Sequence, residues 1–217
     1  MKSLKLVAGL LLGVIALSVN TASAQSSKSA VQVNDAAIVN ATCGAGWSNI
    51  AQVRIHTSQQ KDLVLGASLV TNLYTQTTVK SAGGTSDKST AEAELRVRAL
   101  VDGAPALPGV VVYDRRFQSL LAKFNGICTD LNGDGIVNYN ECTTPEELEL
   151  ILDTSAAHHF NFILADVGVG DHNVLMQGCV KTTITSQAGS ATANATAGKG
   201  SFTVEEVRLV RGQDVTF

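Results

Sequence analysis

Within Ala91 to Val101, residues 92–99 alternate without a break: Glu92, Glu94, Arg96 and Arg98 take one parity, and Ala93, Leu95, Val97 and Ala99 take the other. A two-residue period places successive side chains on opposite faces of a strand, one wet and one buried, and it cannot gather an apolar stripe on a helix. The same texture recurs. Val31 to Asn40, Ala51 to Thr57 and Leu63 to Val79 read as strands before it. Val110 to Tyr113, the alternating Phe160, Phe162 and Leu164, His172 to Thr185 and Ser201 to Val210 read as strands after it. Asp102-Gly103 marks a turn, as does Gly168-Val169-Gly170-Asp171, while Ser81 to Asp87 and the Ala/Thr/Ser/Gly stretch from Ala188 to Gly200 read as loops. Many strands at short spacing with glycine-rich turns predict a mainly β chain folded as an antiparallel β-sandwich.

One segment carries a different period. Phe117, Leu120, Leu121, Phe124 and Ile127 recur at three and four residues, which is helical spacing. Thr144-Pro145-Glu146-Glu147 has the form of a capping box with proline at the first helical position, and Leu148, Leu150, Ile151 and Leu152 follow it. The sequence therefore predicts a helix–loop–helix insertion, about 115–156, within the sandwich.

The loop between these two stretches carries the chemistry. Asp130, Asn132 and Asp134 offer side-chain oxygens at alternate positions, Gly135 sits at a sharp bend, and Ile136 offers a backbone carbonyl. Asn138 acts directly or through a water, and Glu141 closes the run with two oxygens. Calcium takes six to eight hard oxygen ligands at about 2.3–2.6 Å, and this order of donors supplies them. Asp130 to Glu141 resembles the EF-hand calcium loop at every ligand position, and the resemblance implies Ca2+ as the bound ion. It covers these twelve residues and their flanks. The chain holds one such loop, whereas intracellular sensors carry pairs, and the loop presents only three carboxylates. Three carboxylates imply a modest affinity, and extracellular modules typically bind at about 10⁻⁴–10⁻³ M.

The N-terminus fits that setting. Lys2 and Lys5 precede an apolar run from Leu6 to Val19, and Ala22-Ser23-Ala24 offers small residues before Gln25. This is the pattern of a bacterial secretory signal, residues 1–24, which leaves a single domain over 25–217. The run is shorter than the roughly 20 residues that span a bilayer, and no later stretch is long enough, so the mature chain is expected to lack a transmembrane anchor. With both lysines removed the formal charge of −3 becomes −5, and no basic stripe is present; nucleic acid is not an expected partner. Cys43, Cys128, Cys142 and Cys179 lie too far apart in sequence for paired zinc-ligand spacing, and an exported chain favours two disulfides. Cys128 and Cys142 flank the calcium loop at its two ends, which predicts the pairs Cys128–Cys142 and Cys43–Cys179.

Phe160-Asn161-Phe162, Gly170-Asp171-His172-Asn173-Val174 and Ser201-Phe202-Thr203-Val204-Glu205-Glu206-Val207 resemble the last strands of jelly-roll modules in phage fibres and bacterial surface proteins. The resemblance implies a binding or structural role. His158 and His159, as neighbours on a strand, point to opposite faces and cannot join one site. No serine-nucleophile, zinc-protease or phosphate-loop motif occurs. The expectation is a secreted, non-enzymatic calcium-binding protein, extracellular or periplasmic, whose partner is a surface glycan or protein. A secreted carbohydrate-active hydrolase or lyase with a structural calcium site is the alternative.

Overall fold

The computed structural model describes residues 28–34, 39, 41–80, 86–123, 129–141 and 146–209. The predicted signal peptide, Cys128 and Cys142 lie outside them. Nine strands follow in order: β1 Ser29–Asn34, β2 Ser48–Thr57, β3 Lys61–Lys80, β4 Ser86–Val101, β5 Ala104–Pro105, β6 Val111–Lys123, β7 Glu147–Val167, β8 Gly170–Ser186 and β9 Ser190–Val207. One sheet has the order β1-β9-β3-β7; the other runs β2-β8-β4, with β5 and β6 both pairing β4. All the strand pairs are antiparallel, and the two sheets form a sandwich.

The predicted helices are absent from the described residues. Residues 115–123 are the far part of β6, paired with β4 from Glu94↔Arg115 to Ser86↔Lys123. Residues 147–156 begin β7, paired with β3 from Lys80↔Glu147 to Thr71↔Ala156. The insertion is thus a long connection between two strands, and among its described residues the one helical turn is the 3-10 turn Tyr139–Glu141. Ala188–Gly200 is likewise mostly strand, because β9 starts at Ser190 and pairs with β3 through Thr78↔Ser190.

The interior changes character along its length. At the end where β4 turns into β5 and β7 into β8 (the turn end), Leu63, Leu65, Phe162 and Phe202 of one sheet meet Val97, Val174 and Met176 of the other. At the end where β6 leaves for β7 (the loop end), Leu73 and Val79 are joined at the inward positions mostly by small or polar residues: Thr75, Thr77, Ser89, Ala91, Ala93 and Ala195. Large apolar groups give way to small and polar ones, so burial alone stabilises the loop end less.

Side chains of β6 compensate. Gln118 Nε2 donates to Thr77 Oγ1 at 2.6 Å and to the Leu150 carbonyl at 2.8 Å, while Thr75 Oγ1 donates to Gln118 Oε1 at 2.7 Å. Arg116 Nη1 donates to the carbonyls of Leu73 (2.9 Å) and Leu152 (3.0 Å). The Tyr113 hydroxyl accepts from Leu69 N at 3.0 Å and shares its proton between the carbonyls of Ala67 and His158. Burial pushes the Tyr113 phenol up to about 12. Three residues of one edge strand therefore fasten the opposite sheet.

Cys43 and Cys179 form the predicted disulfide, with Cα atoms 5.0 Å apart. It ties the Thr42 bridge and the start of β2 to β8. On the chain-entropy estimate a closed loop of this length stabilises by about 4–5 kcal/mol.

The clasp makes a prediction. Gln118→Ala leaves the buried Thr75 and Thr77 hydroxyls without their partner, and should cost about 1–3 kcal/mol in urea unfolding. An unchanged unfolding midpoint would contradict the role given to Gln118.

Candidate functional site

The chain between β6 and β7 folds back on itself around its own side chains. Asp130 Oδ1 accepts from Gly133 N at 2.6 Å and Oδ2 accepts from Gly135 N at 2.7 Å. Asn132 Oδ1 accepts from Asp134 N at 2.9 Å, and Asp134 Oδ1 accepts from Ile136 N at 2.7 Å. Glu141 Oε2 accepts from Asn138 N at 2.7 Å. Gly133 and Gly135 take φ of 76° and 81°, a region costly for residues with a Cβ. The ends of the loop meet where Thr129 N donates to the Glu141 carbonyl at 3.2 Å. Glu141 is the one carboxylate here turned inward, at 9 % exposure, while Asn132, Asp134, Ile136 and Asn138 are exposed.

The donor chemistry fits calcium and not a softer metal. Every candidate ligand is an oxygen, from Asp130, Asn132, Asp134, Asn138 and Glu141 or from the Ile136 carbonyl, with no imidazole or thiolate among them. An oxygen that accepts one N–H keeps a second lone pair. Among the described residues no three His, Cys, Asp or Glu side chains are gathered into a metal cluster. Each loop carboxylate is occupied with backbone N–H groups, so a cation would draw Asp130, Asp134 and Glu141 inward by side-chain rotation.

A second constellation forms at the turn end, from residues far apart in sequence. Asp102 Oδ2 lies 2.7 Å from His172 Nδ1, and His172 Nε2 lies 3.0 Å from Thr57 Oγ1. This is the connectivity of a carboxylate–imidazole–hydroxyl triad. The hydroxyl is misplaced for nucleophilic work: Thr57 has 0 % exposure and donates to the Gly168 carbonyl at 2.5 Å. Asp102 sits at φ 50° in the Asp102-Gly103 turn and also accepts from Asn173 N at 2.8 Å. The array therefore braces the β4–β5 and β7–β8 turns against the end of β2. The hydrogen bond from His172, then that from Asn173, holds the Asp102 carboxyl below its ordinary value.

Several other ionisable groups are similarly committed. Asp62 accepts from Asp166 N and from Leu209 N, both at 2.9 Å, which uses its two oxygens on backbone. His158 and His159 do face opposite sides of β7: His158 packs edge-on against Tyr113, whereas His159 Nδ1 lies 2.6 Å from Ser68 Oγ. Trp47 carries the Arg98 guanidinium 4.3 Å above its ring. No sequence signal announced the Asp102–His172–Thr57 array, because only the fold brings the three strands' ends together.

Neither a family model nor a curated protein sequence matches this chain.

Acid titration tests the brace. A carboxyl whose folded pKa is lowered contributes stability that is present above its unfolded value and is lost as pH falls through the folded one. The stability gap between the wild type and Asp102→Asn should thus be constant near neutrality and shrink once pH drops below the 3.8 of an unperturbed carboxyl. A gap unchanged from about pH 6 to about pH 2 would contradict the assignment.

Proposed function

We propose that this chain is a secreted calcium-binding jelly-roll module with a non-enzymatic binding or structural role at the cell exterior, the calcium being structural. The observation that carries the reading is the Asp130–Glu141 loop, with its all-oxygen donors at alternating positions, left-handed Gly135 at the bend and inward Glu141 at the close. The strand order supports the fold name: β1-β9-β3-β7 faces β2-β8-β4-β6, eight strands whose connections pass from sheet to sheet except the one from β4 through β5 to β6. The Cys43–Cys179 bond supports an oxidising compartment. A surface glycan or a protein is the partner class such a sandwich serves.

The loop acts as a clamp in this reading and not as a switch. A sensor needs two folds of similar free energy, and here the loop joins two strands that the sheets hold in place. Calcium at about ten times its dissociation constant should stabilise by roughly 1.4 kcal/mol through mass action. Thermal melts in calcium, magnesium and chelator should show a rise with calcium and a smaller one with magnesium, which keeps its waters. Glu141→Gln should weaken the calcium shift and Asp130→Ala should abolish most of it. An unchanged melting temperature together with no heat of binding would sink the site. A large calcium-driven gain in hydrophobic-dye binding would instead sink the clamp.

A further inference from the structure

The flank formed by β6 and β7 has unfinished sheet edges and apolar side chains. β6 pairs only with β4, and β7 pairs with β3 along its length. At the turn end Ile163 exchanges both backbone hydrogen bonds with Leu107, on the side away from β3. Peptide direction alternates along a strand, and the β7 register runs unbroken from Leu164 to Glu147. The N–H and C=O groups of Glu149, Ile151, Asp153 and Ser155 therefore point away from β3 too, where no strand lies among the described residues. Natural edge strands are usually blunted by proline, lysine or a bulge. Glu147 to Ala157 contains no proline, lysine or glycine, and neither does Phe117 to Ala122. Phe117 is 58 % exposed and Ile151 50 %, with Leu121 and Leu148 exposed beside them.

We propose that this flank is the interface of a homodimer in which β7 of each copy pairs antiparallel with β6 of the other about a two-fold axis parallel to the strands. Closed two-fold dimers are the commonest assemblies, and this axis is the one that the charges favour. The outward side of β7 is acidic at the loop end, with Glu147, Glu149 and Asp153, whereas β6 carries Arg115 and Lys123. A two-fold axis perpendicular to the sheets would set β7 against β7 and bring acid against acid. The parallel axis, in the register below, sets Asp153 against Arg115 and puts Glu149 and Glu147 beside Ser119 and Leu121, away from other acids.

The same axis predicts the register. Within one copy Gln118 reaches the Leu150 carbonyl and Arg116 reaches the Leu152 carbonyl, so these residues stand level across the sandwich. Rotation about the strand direction keeps that level while exchanging the sheets. Ile151 then lies beside Phe117 of the second copy, and Asp153 beside Arg115 of the second copy. Parity agrees. Ile151 stands opposite Gln76 and Phe117 opposite Glu92, both on outward faces, so the joined sheet keeps its apolar pair and its ion pair on one surface. Each sheet would then continue into the other copy's opposite sheet, and every exposed edge on this flank would be covered.

The test is oligomeric state combined with directed crosslinking of the oxidised mature protein. Light scattering should give twice the chain mass. Ile151→Cys with Phe117→Cys should yield a disulfide-linked dimer on non-reducing gels, and neither single variant should. Within one copy the two positions point from opposite outer faces of the sandwich, so an intramolecular bridge is barred. Asp153→Arg should raise the dimer dissociation constant about tenfold while the fold, read by circular dichroism, is retained. A monomer by light scattering overturns the proposal. Crosslinking by Ile151→Cys alone overturns this axis, and an unchanged dissociation constant for Asp153→Arg overturns the charge pairing. None of these readouts involves calcium, so they stand or fall separately from the loop assignment.

Discussion

The loop end of this sandwich depends on the polar clasp that β6 extends to the other sheet. Tyr113, Arg116 and Gln118 each cross the interior and bind backbone or hydroxyl groups of β3 and β7. A two-sheet protein ordinarily holds its layers together by interdigitating large apolar side chains about 10 Å apart. Here that mechanism serves the turn end, where phenylalanines and leucines meet, and fades where threonine, serine and alanine replace them. Small inward residues leave room for a glutamine and an arginine to reach across the interior. The hydrogen bonds satisfy groups that would otherwise be buried without partners, which is where such bonds matter most. The Asp130–Glu141 loop lies in the connection between the two strands that the clasp joins.

The sequence was most legible where charged and apolar side chains alternate along a strand, although the fold also buries one of the charged positions, Glu94. Glu92 to Ala99 reads at once, and β4 follows it with Ala91, Ala93, Leu95 and Val97 buried. Edge strands obscure that signal. In β6 the outward Phe117 and Leu121 are apolar, as is the inward Leu120, so both parities look alike and the spacing imitates a helix. In β7 the inward Leu148, Leu150 and Leu152 alternate with acids but also with Ile151, and the preceding Thr-Pro-Glu-Glu run imitates a helix start. Ala188 to Gly200 misled for the opposite reason: its residues are small because the interior it enters is thin, not because it is a loop. The Cys43–Cys179 pair was readable from the compartment and spacing arguments. The Asp102–His172–Thr57 brace was not, because nothing local links those three positions.

The two ends of the sandwich differ in how their polar groups are used. The turn end is closed by short turns, the Asp102 brace and Asp62, each spending its polar groups on backbone. The opposite end and the β6–β7 flank hold the Asp130–Glu141 loop, the exposed apolar residues and the unpaired strand edges. A cation at the loop and a partner at the flank would act on the same two strands, so stability at this end is where binding of either kind would be felt.

The account rests on β6 and β7 being strands up to the loop, since helices there would remove the clasp, the paired edges and the mounting of the loop together. Backbone chemical shifts of residues 115–123 and 147–156 in solution test this most directly. The account predicts strand-type Cα and Cβ shifts through both stretches, with cross-strand contacts from Gln118 to Leu150. Helical shifts in either stretch would contradict it.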